Sequence, residues 1–326
     1  MSETIFWVVG SGGLLGSHLR RAISQRVPNA RFWQSEPPHL SWTKPTKLAE
    51  EISRAVATFT TAVCAKRSAW VLLWCAGKGV MSSSAVALEP EWWAWSRLLN
   101  LLGHHLAGPH DDLPGAIFLA SSVGGVYSGN LGALLTEHTP PRPVSDYGTH
   151  KFRMEQALQN WVEMFPNTSC LIGRISSLYG PGQDLHKRQG IISHVSRCLI
   201  YRRPVNIYVP LDTRRDYLFA DDCAHQIAAS LTRLMIERPR AILKIFASEE
   251  STSLARIVGV FFQMSKHRPL IVSRPSRSTQ PIGLKLRSEV WRNMRGLRKT
   301  DLATGIHMVH EHQLGLFQHG LLPPPS

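Results

Sequence analysis

Thr4-Ile5-Phe6-Trp7-Val8-Val9-Gly10-Ser11-Gly12-Gly13-Leu14-Leu15-Gly16-Ser17-His18-Leu19 is the stretch from which the rest of the chain can be read. Thr4 to Val9 is a short, continuous apolar run, as expected of a strand buried on both faces of a parallel sheet. Gly10, Gly13 and Gly16 then follow at the spacing Gly-x-x-Gly-x-x-Gly, ahead of an amphipathic helix. The first glycine permits a tight turn, the second lets backbone approach a pyrophosphate, and the third lets helix and strand pack closely. The helix N-terminal amides then face the phosphates. Gly10, Ser11, Gly12, Gly13, Leu14 and Gly16 are therefore candidates for a dinucleotide cradle; the alternative is a glycine-rich turn without a ligand.

Further strands and helices follow in turn. Ala30 to Gln34 is the second expected strand, and its end normally carries an acid for the adenosine ribose hydroxyls of NAD. Gln34 and Ser35 stand there instead, with Glu36 just beyond. Losing the carboxylate removes repulsion toward a 2′-phosphate, so NADP is allowed and mildly favoured over NAD, although no Arg is obviously placed to clamp it. Between Lys44 and Lys66, Leu48, Ile52, Val56, Phe59 and Val63 repeat every three or four residues, a one-faced helix. Trp70 to Cys75 reads as another buried strand. It runs into Ala76-Gly77-Lys78-Gly79, small residues suited to a cofactor passing over strand ends, so Cys75, Ala76 and Gly77 join the cofactor-binding candidates. A bulky helix is expected over Glu91–Ala107, with Trp92, Trp93 and Trp95 able to face a partner subunit as well as the sheet. Gly115–Ala120 and Cys170–Arg174 are further strands. Alternation through residue 175 predicts an α/β fold, a doubly wound parallel sheet. The last ninety or so residues alternate less cleanly and read as a smaller C-terminal α+β part, with only the Pro-Pro-Pro-Ser tail expected to be disordered.

The chemistry points to Ser145-Asp146-Tyr147-Gly148-Thr149-His150-Lys151. Tyr147 and Lys151 are four apart, so on a helix they stand one turn above each other. A cation beside a phenol favours the phenolate, which makes Tyr147 a better proton acceptor near neutral pH. Tyr-x-x-x-Lys alone arises readily by chance. It gains weight from the glycine-rich turn upstream and from Ser121-Ser122 at the end of a strand.

Taken together, these residues resemble the extended short-chain dehydrogenase/reductases, in particular the NAD-dependent epimerase/dehydratase branch acting on nucleotide sugars. The resemblance spans residues 4 to about 265. It rests on Gly10/Gly13/Gly16, Ser121-Ser122 with Val126-Tyr127, Tyr147-x-x-x-Lys151, Arg174 to Tyr179-Gly180-Pro181-Gly182, and Arg215-Asp216-Tyr217 with Asp221-Asp222. It implies a Rossmann-type dinucleotide-binding domain over 1–175, to which 216–236 returns, and a substrate-binding domain over 176–326. It further implies NAD or NADP as cofactor, a nucleotide-diphosphate sugar as substrate, and a homodimer formed through helices 91–107 and 147–164. Carried over, Tyr147 is the general acid/base, Lys151 holds the nicotinamide ribose, and Ser122 donates a hydrogen bond to the reacting oxygen. Arg215 meets the substrate diphosphate, with Ser177 standing where the family has an asparagine. The asparagine usual in the helix after the fourth strand is replaced by Ser96, with Asn100 one turn on. The Ser-to-Tyr127 segment has one residue more than the family pattern, which favours Ser122 over Ser121. Where the 4,6-dehydratases carry Thr-Asp-Glu, this chain has Val123-Gly124-Gly125, which disfavours elimination. The function implied is an epimerase or 4-ketoreductase working by hydride transfer at a sugar carbon.

Composition sets the remaining bounds. The chain has 326 residues, 43% hydrophobic, with a formal charge of +14, enough for one large core or somewhat more. Five cysteines without metal spacing read as reduced core thiols of a cytoplasmic protein. No apolar run approaches a membrane span. His307, His310 and His312 lack an accompanying carboxylate or Cys pattern, so no metal is expected. Between Lys266 and Lys299 stand ten Lys/Arg and one acid, Glu289. That segment reads as a solvated basic face, a surface for anionic substrates, or a nucleic-acid surface. The last belongs to the alternative of a non-catalytic or nucleic-acid-binding relative, against which the joint presence of Ser122, Tyr147 and Lys151 argues.

Overall fold

Strand and helix alternate from the N-terminus as the apolar runs require. A computed structural model describes residues 3–37, 40–107, 112–130, 132, 134–187, 190–265, 270–273, 283–294, 297 and 299–325. In chain order the first half comprises β1 (Thr4–Val9), α1 (Leu14–Arg26), β2 (Ala30–Trp33), α2 (Pro45–Lys66), β3 (Ala69–Trp74), α3 (Ala85–Leu106), β4 (Gly115–Ser122), the single turn α4 (Val123–Val126), β5 (Leu134–Leu135) and α5 (Asp146–Glu163). The second half comprises β6 (Thr168–Ile175), β7 (Ser177–Tyr179), α6 (Ile191–Ile200), β8 (Val205–Ile207), β9 (Arg214–Phe219), α7 (Ala220–Glu237), β10 (Ala241–Phe246), β11 (Ser251–Ser253), α8 (Leu254–Met264), β12 (Ile271–Ser273), β13 (Lys285–Leu286) and α9 (Leu302–Gln318).

Six parallel strands form the central sheet in the order β10-β6-β4-β3-β1-β2, the doubly wound arrangement expected. The chain leaves β1 toward β2, then crosses back to β3 and continues through β4, β6 and β10. Strand order therefore reverses between β1 and β3, and ligands of open α/β sheets bind in the crevice beyond the strand ends at such a point. Val9 O accepts from Cys75 N at 2.9 Å there, which brings the glycine turn and the Cys75–Gly77 strand end side by side.

Each face of the sheet carries its own core. Leu48, Ile52, Phe59, Trp95, Leu98, Leu102, Leu158 and Trp161 from α2, α3 and α5 cover one face. Leu15, Leu19, Ile23, Ile227, Leu231 and Leu234 from α1 and α7 cover the other. The region that follows β6 packs a separate core, in which Val195, Ile257, Phe261, Ile306 and Val309 join α6, α8 and α9.

Two expectations need correction. The bulky helix begins at Ala85 rather than Glu91, passing through Pro90. Ser84 makes no side-chain cap; Ala85 N donates instead to the Asp146 carboxylate on α5, 2.8 Å away. That cap comes from 61 residues downstream, so local sequence does not announce it. Pro90 lacks the amide that would bond Val86, whose residue is 82% exposed, so its carbonyl can turn to solvent. Through Pro325 the C-terminal tail is packed rather than disordered; Ser326 lies outside the described residues. Leu322 is buried, its carbonyl accepts from the Tyr201 hydroxyl, and Arg197 donates to Pro324 O.

All five cysteines are free thiols. Among the described residues no helix is long and apolar enough to cross a membrane. Much of the basic 266–299 segment, including Arg274 and Arg277, lies outside the described residues. His310 is turned onto Ser196 Oγ at 3.0 Å and the Phe261 ring, while His307 and His312 are exposed.

Candidate active site

The glycine turn closes as its spacing requires. Gly10 has φ +88°, and a Cβ there would lie 2.7 Å from Ala76 N. Gly13 N donates to Gly10 O at 3.0 Å, and a Cβ at Gly16 would stand only 2.2 Å from that same oxygen. No larger residue fits at Gly10 or Gly16 without moving backbone. Gly13 takes the N-cap position of α1 with no side-chain cap, which leaves the first amides of the helix to a ligand. At the end of β2, Gln34 is exposed, while Ser35 is buried with its hydroxyl donated to Pro37 O at 2.9 Å. Cys75 is half-buried on β3's outgoing end, and burial pushes its thiol far up, so it stays protonated.

Tyr147 sits in the first turn of α5. Ser145 caps that helix, its Oγ accepting from Gly148 N at 3.1 Å. The Tyr147 ring lies between two glycines: a Cβ at Gly79 would come within 3.2 Å of it, and one at Gly125 within 3.1 Å. Gly148 in turn backs onto Gly125 O, where a Cβ would stand 2.3 Å away. These close approaches let α4 and α5 meet, and they bring Ser122 to the same place. Ser122 Oγ accepts from Gly125 N at 3.2 Å as the N-cap of α4. The extra residue between the serines and Tyr127 is thus taken up by one helical turn.

Ser121 points elsewhere. Its hydroxyl donates to Glu155, which also holds Arg174 through a double contact at 2.6–3.2 Å. Arg174 also donates to the Tyr127 hydroxyl, and that hydroxyl donates to Thr136 O. Tyr127 is fully buried and fills the core.

Lys151 Nζ lies 5.9 Å from the centre of the Tyr147 ring and 2.7 Å from Glu91 Oε1. Burial opposes the lysine's charge, but Glu91 and Tyr147 outweigh it and hold the amine above its ordinary range. Burial also works against the Glu91 charge, yet Lys151 and His150 bring that carboxyl down. Ser96, where the family has its asparagine, donates to Trp92 O and takes no part. Glu91 is the residue by which α3 reaches the lysine. Sequence carries a signal for it: Leu88, Glu91, Trp95, Leu98 and Leu102 are spaced three and four apart on one buried stripe, and a lone acid stands among apolar residues. Lys187 was also missed. It reaches over from the loop after Gly182 to donate to Gly77 O at 2.9 Å, and nothing in its spacing announces this.

Ser177 and Arg215 lie on adjacent strands, Ser177 pairing with Tyr217 two residues beyond Arg215. Arg215 and Tyr217 share one face of β9. Asp216 points to the other, buried against Ser176 and Ser248. Burial also pushes the Arg215 guanidinium below its ordinary range.

The profile of the NAD dependent epimerase/dehydratase family matches residues 6–243. A dTDP-L-rhamnose 4-epimerase of Burkholderia thailandensis is 33% identical over 131 residues, covering 39% of this chain and 35% of that one. A dTDP-4-dehydro-6-deoxyglucose reductase of Escherichia coli is 28% identical over 150 residues, 46% of each chain. The chain thus spans between about a third and a half of the curated relatives it matches. The UDP-glucuronic acid 4-epimerase of Bacillus cereus, solved with UDP-glucuronic acid and NAD, superposes with a TM-score of 0.73 at 16% identity, covering 96% of this chain and 99% of that one. A match over most of the central sheet, from β1 to β10, together with a glycine turn at the strand-order reversal, places the chain in the NAD dependent epimerase/dehydratase family.

Proposed function

We propose that the protein is an NAD(P)-dependent nucleotide-sugar epimerase or 4-ketoreductase. The observation that carries this reading is Tyr147, seated between Gly79 and Gly125 with Lys151 beneath it and Ser122 on the same glycine. Gly10, Ser11, Gly12, Gly13, Leu14 and Gly16 cradle the pyrophosphate, and Cys75, Ala76 and Gly77 line the path toward Tyr147. The cradle fits such a group because Gly10 and Gly16 leave no room for side chains and the α1 N-terminus is uncapped. When bound, the nicotinamide supplies hydride transfer. Tyr147 takes the proton of a sugar hydroxyl and returns it in the reverse direction, while Ser122 donates a hydrogen bond to the same oxygen. The Lys151 ammonium stabilises charge on the phenol oxygen and holds the nicotinamide ribose.

Gln34, exposed where an acid would select NAD, leaves room for a 2′-phosphate and mildly favours NADP. Arg215 and Ser177 face the diphosphate of a nucleotide sugar, the arginine through a two-pronged contact. Residues 1–175, with 216–236 returning to them, form the dinucleotide-binding part, and 176–326 the substrate part. A homodimer through α3 and α5 covers Trp93 and Met164, which are 39% and 67% exposed. The absence of a carboxylate in Val123-Gly124-Gly125 disfavours elimination.

The test is turnover of UDP- and dTDP-hexoses and their 4-keto forms, with the cofactor content of the purified protein measured alongside. Retained NAD and interconversion of 4-epimers identify an epimerase; consumption of added NADPH with a 4-keto sugar identifies a reductase. Failure of both, with dinucleotide and nucleotide sugar bound, would overturn the reading.

A further inference from the structure

Glu91 occupies a core position on α3, where the neighbouring inward residues Leu88, Trp95 and Leu98 are apolar. One carboxylate oxygen, Oε1, lies 2.7 Å from Lys151 Nζ, and the other, Oε2, lies 3.8 Å from His150 Nε2. All three residues are less than a tenth exposed. Gly77 makes the space for this carboxylate, since a Cβ there would stand 2.8 Å from both oxygens. His150 Nε2 makes no hydrogen bond among the described residues, and its ion-pair partner there is the Glu91 carboxylate. A buried charge persists only where it is paired and hydrogen-bonded.

We infer that Glu91 is a positioning residue that holds the Lys151 ammonium charged and in place beneath Tyr147. The inference rests on the roles proposed above for Tyr147 and Lys151. The surrounding groups leave this task to Glu91. Burial is the largest influence on Lys151 and opposes its charge; Glu91 comes next and favours it, with smaller help from Tyr147 and Glu155 on α5. Glu155 is itself engaged by Arg174 and Ser121. From β3, Cys75 stays a neutral thiol. From the loop after Gly182, Lys187 is held down by burial first; Asp184 and Glu91 oppose this, and Lys151 and Lys78 add to it. Lys151, Lys187 and Lys78 thus act on one another, and Glu91 is the carboxylate in hydrogen-bond contact with the lysine that lies under Tyr147.

The experiment reads Lys151 directly and needs no substrate. Lysine side chains are labelled with 13C at Cε and followed against pH in the full-length protein, with the Lys151 resonance assigned by its loss in Lys151→Met. In Glu91→Gln the Lys151 midpoint should fall by at least about one pH unit, a tenfold loss of proton affinity, and Glu91→Asp should recover part of that loss. Glu91→Asn serves as the neutral variant should Glu91→Gln fail to fold. An unchanged Lys151 midpoint in a folded neutral variant overturns the inference, as does a rise. Turnover is measured in parallel. A wild-type protein inactive on every nucleotide sugar would sink the proposed function while the titration still decides the role of Glu91.

Discussion

Arg174 grips Glu155 with both ends of its guanidinium, Nη2 to Oε2 at 2.6 Å and Nε to Oε1 at 3.0 Å, with both side chains almost wholly buried. The pair ties β6 to α5 directly under the turn that carries Ser122, and it also engages Ser121 and Tyr127. Removing one partner of such a pair strands the other charge in the interior. Arg174→Met should therefore cost about 3–5 kcal/mol of stability, read as a lowered urea midpoint. A loss below about 1 kcal/mol would mean that the site's scaffold does not depend on the pair.

Tyr147→Phe keeps the ring between Gly79 and Gly125 and deletes only the hydroxyl. Turnover should fall at least about a hundredfold, the usual contribution of a positioned acid/base. Dinucleotide affinity should change little, because the cradle at Gly10–Gly16 lies on other elements. Near-normal turnover in a folded variant would show that another group moves the proton.

What sequence disclosed and what it hid divide along a physical line. The apolar runs at Thr4–Val9 and Trp70–Cys75 and the glycines between strand and helix are local signals, and the sheet they predict is present. The start of α3 was not legible because its cap, Asp146, arrives from α5. Ser121 and Ser122 are indistinguishable as neighbours in sequence; they part only because successive residues of a strand point to opposite sides, one toward Glu155 and one toward Gly125. Glu91 was visible as an acid on an apolar stripe, but its partner Lys151 is 60 residues away. The tail, Pro-rich and outwardly disordered, is fixed by hydrogen bonds to its carbonyls, which any sequence could supply.

Arg215→Ala tests the substrate side. The guanidinium lies on β9 beside β7, and burial lowers it below its ordinary range, with slight opposition from Tyr217. An incoming diphosphate would bring two negative charges to this face. The variant should raise KM for a nucleotide sugar by roughly tenfold or more, within the range of a charge-assisted hydrogen bond, with cofactor affinity unchanged. Loss of dinucleotide binding with normal KM would move Arg215 to the cofactor.

Acid titration should expose the Glu91–Lys151 pair. Burial raises the Glu91 carboxyl, but Lys151 and His150 overcome it and leave the group at about 2, against 4.5 for an ordinary glutamate. A carboxyl depressed in the folded state stabilises it fully above the unfolded value and loses that contribution as pH falls through the folded one. The window is therefore from about pH 4.5 down to about 2. Urea unfolding of wild type and Glu91→Gln should differ by a constant amount at pH 5–6. Below about pH 4.5 the difference should shrink, and a depression of this size corresponds to about 3 kcal/mol over the whole window. Groups that do not touch Glu91 titrate alike in both proteins and cancel in the comparison. A difference that stays flat from pH 6 to pH 3 would show that Glu91 carries no depressed carboxyl in the folded protein, and with it no charge held against Lys151.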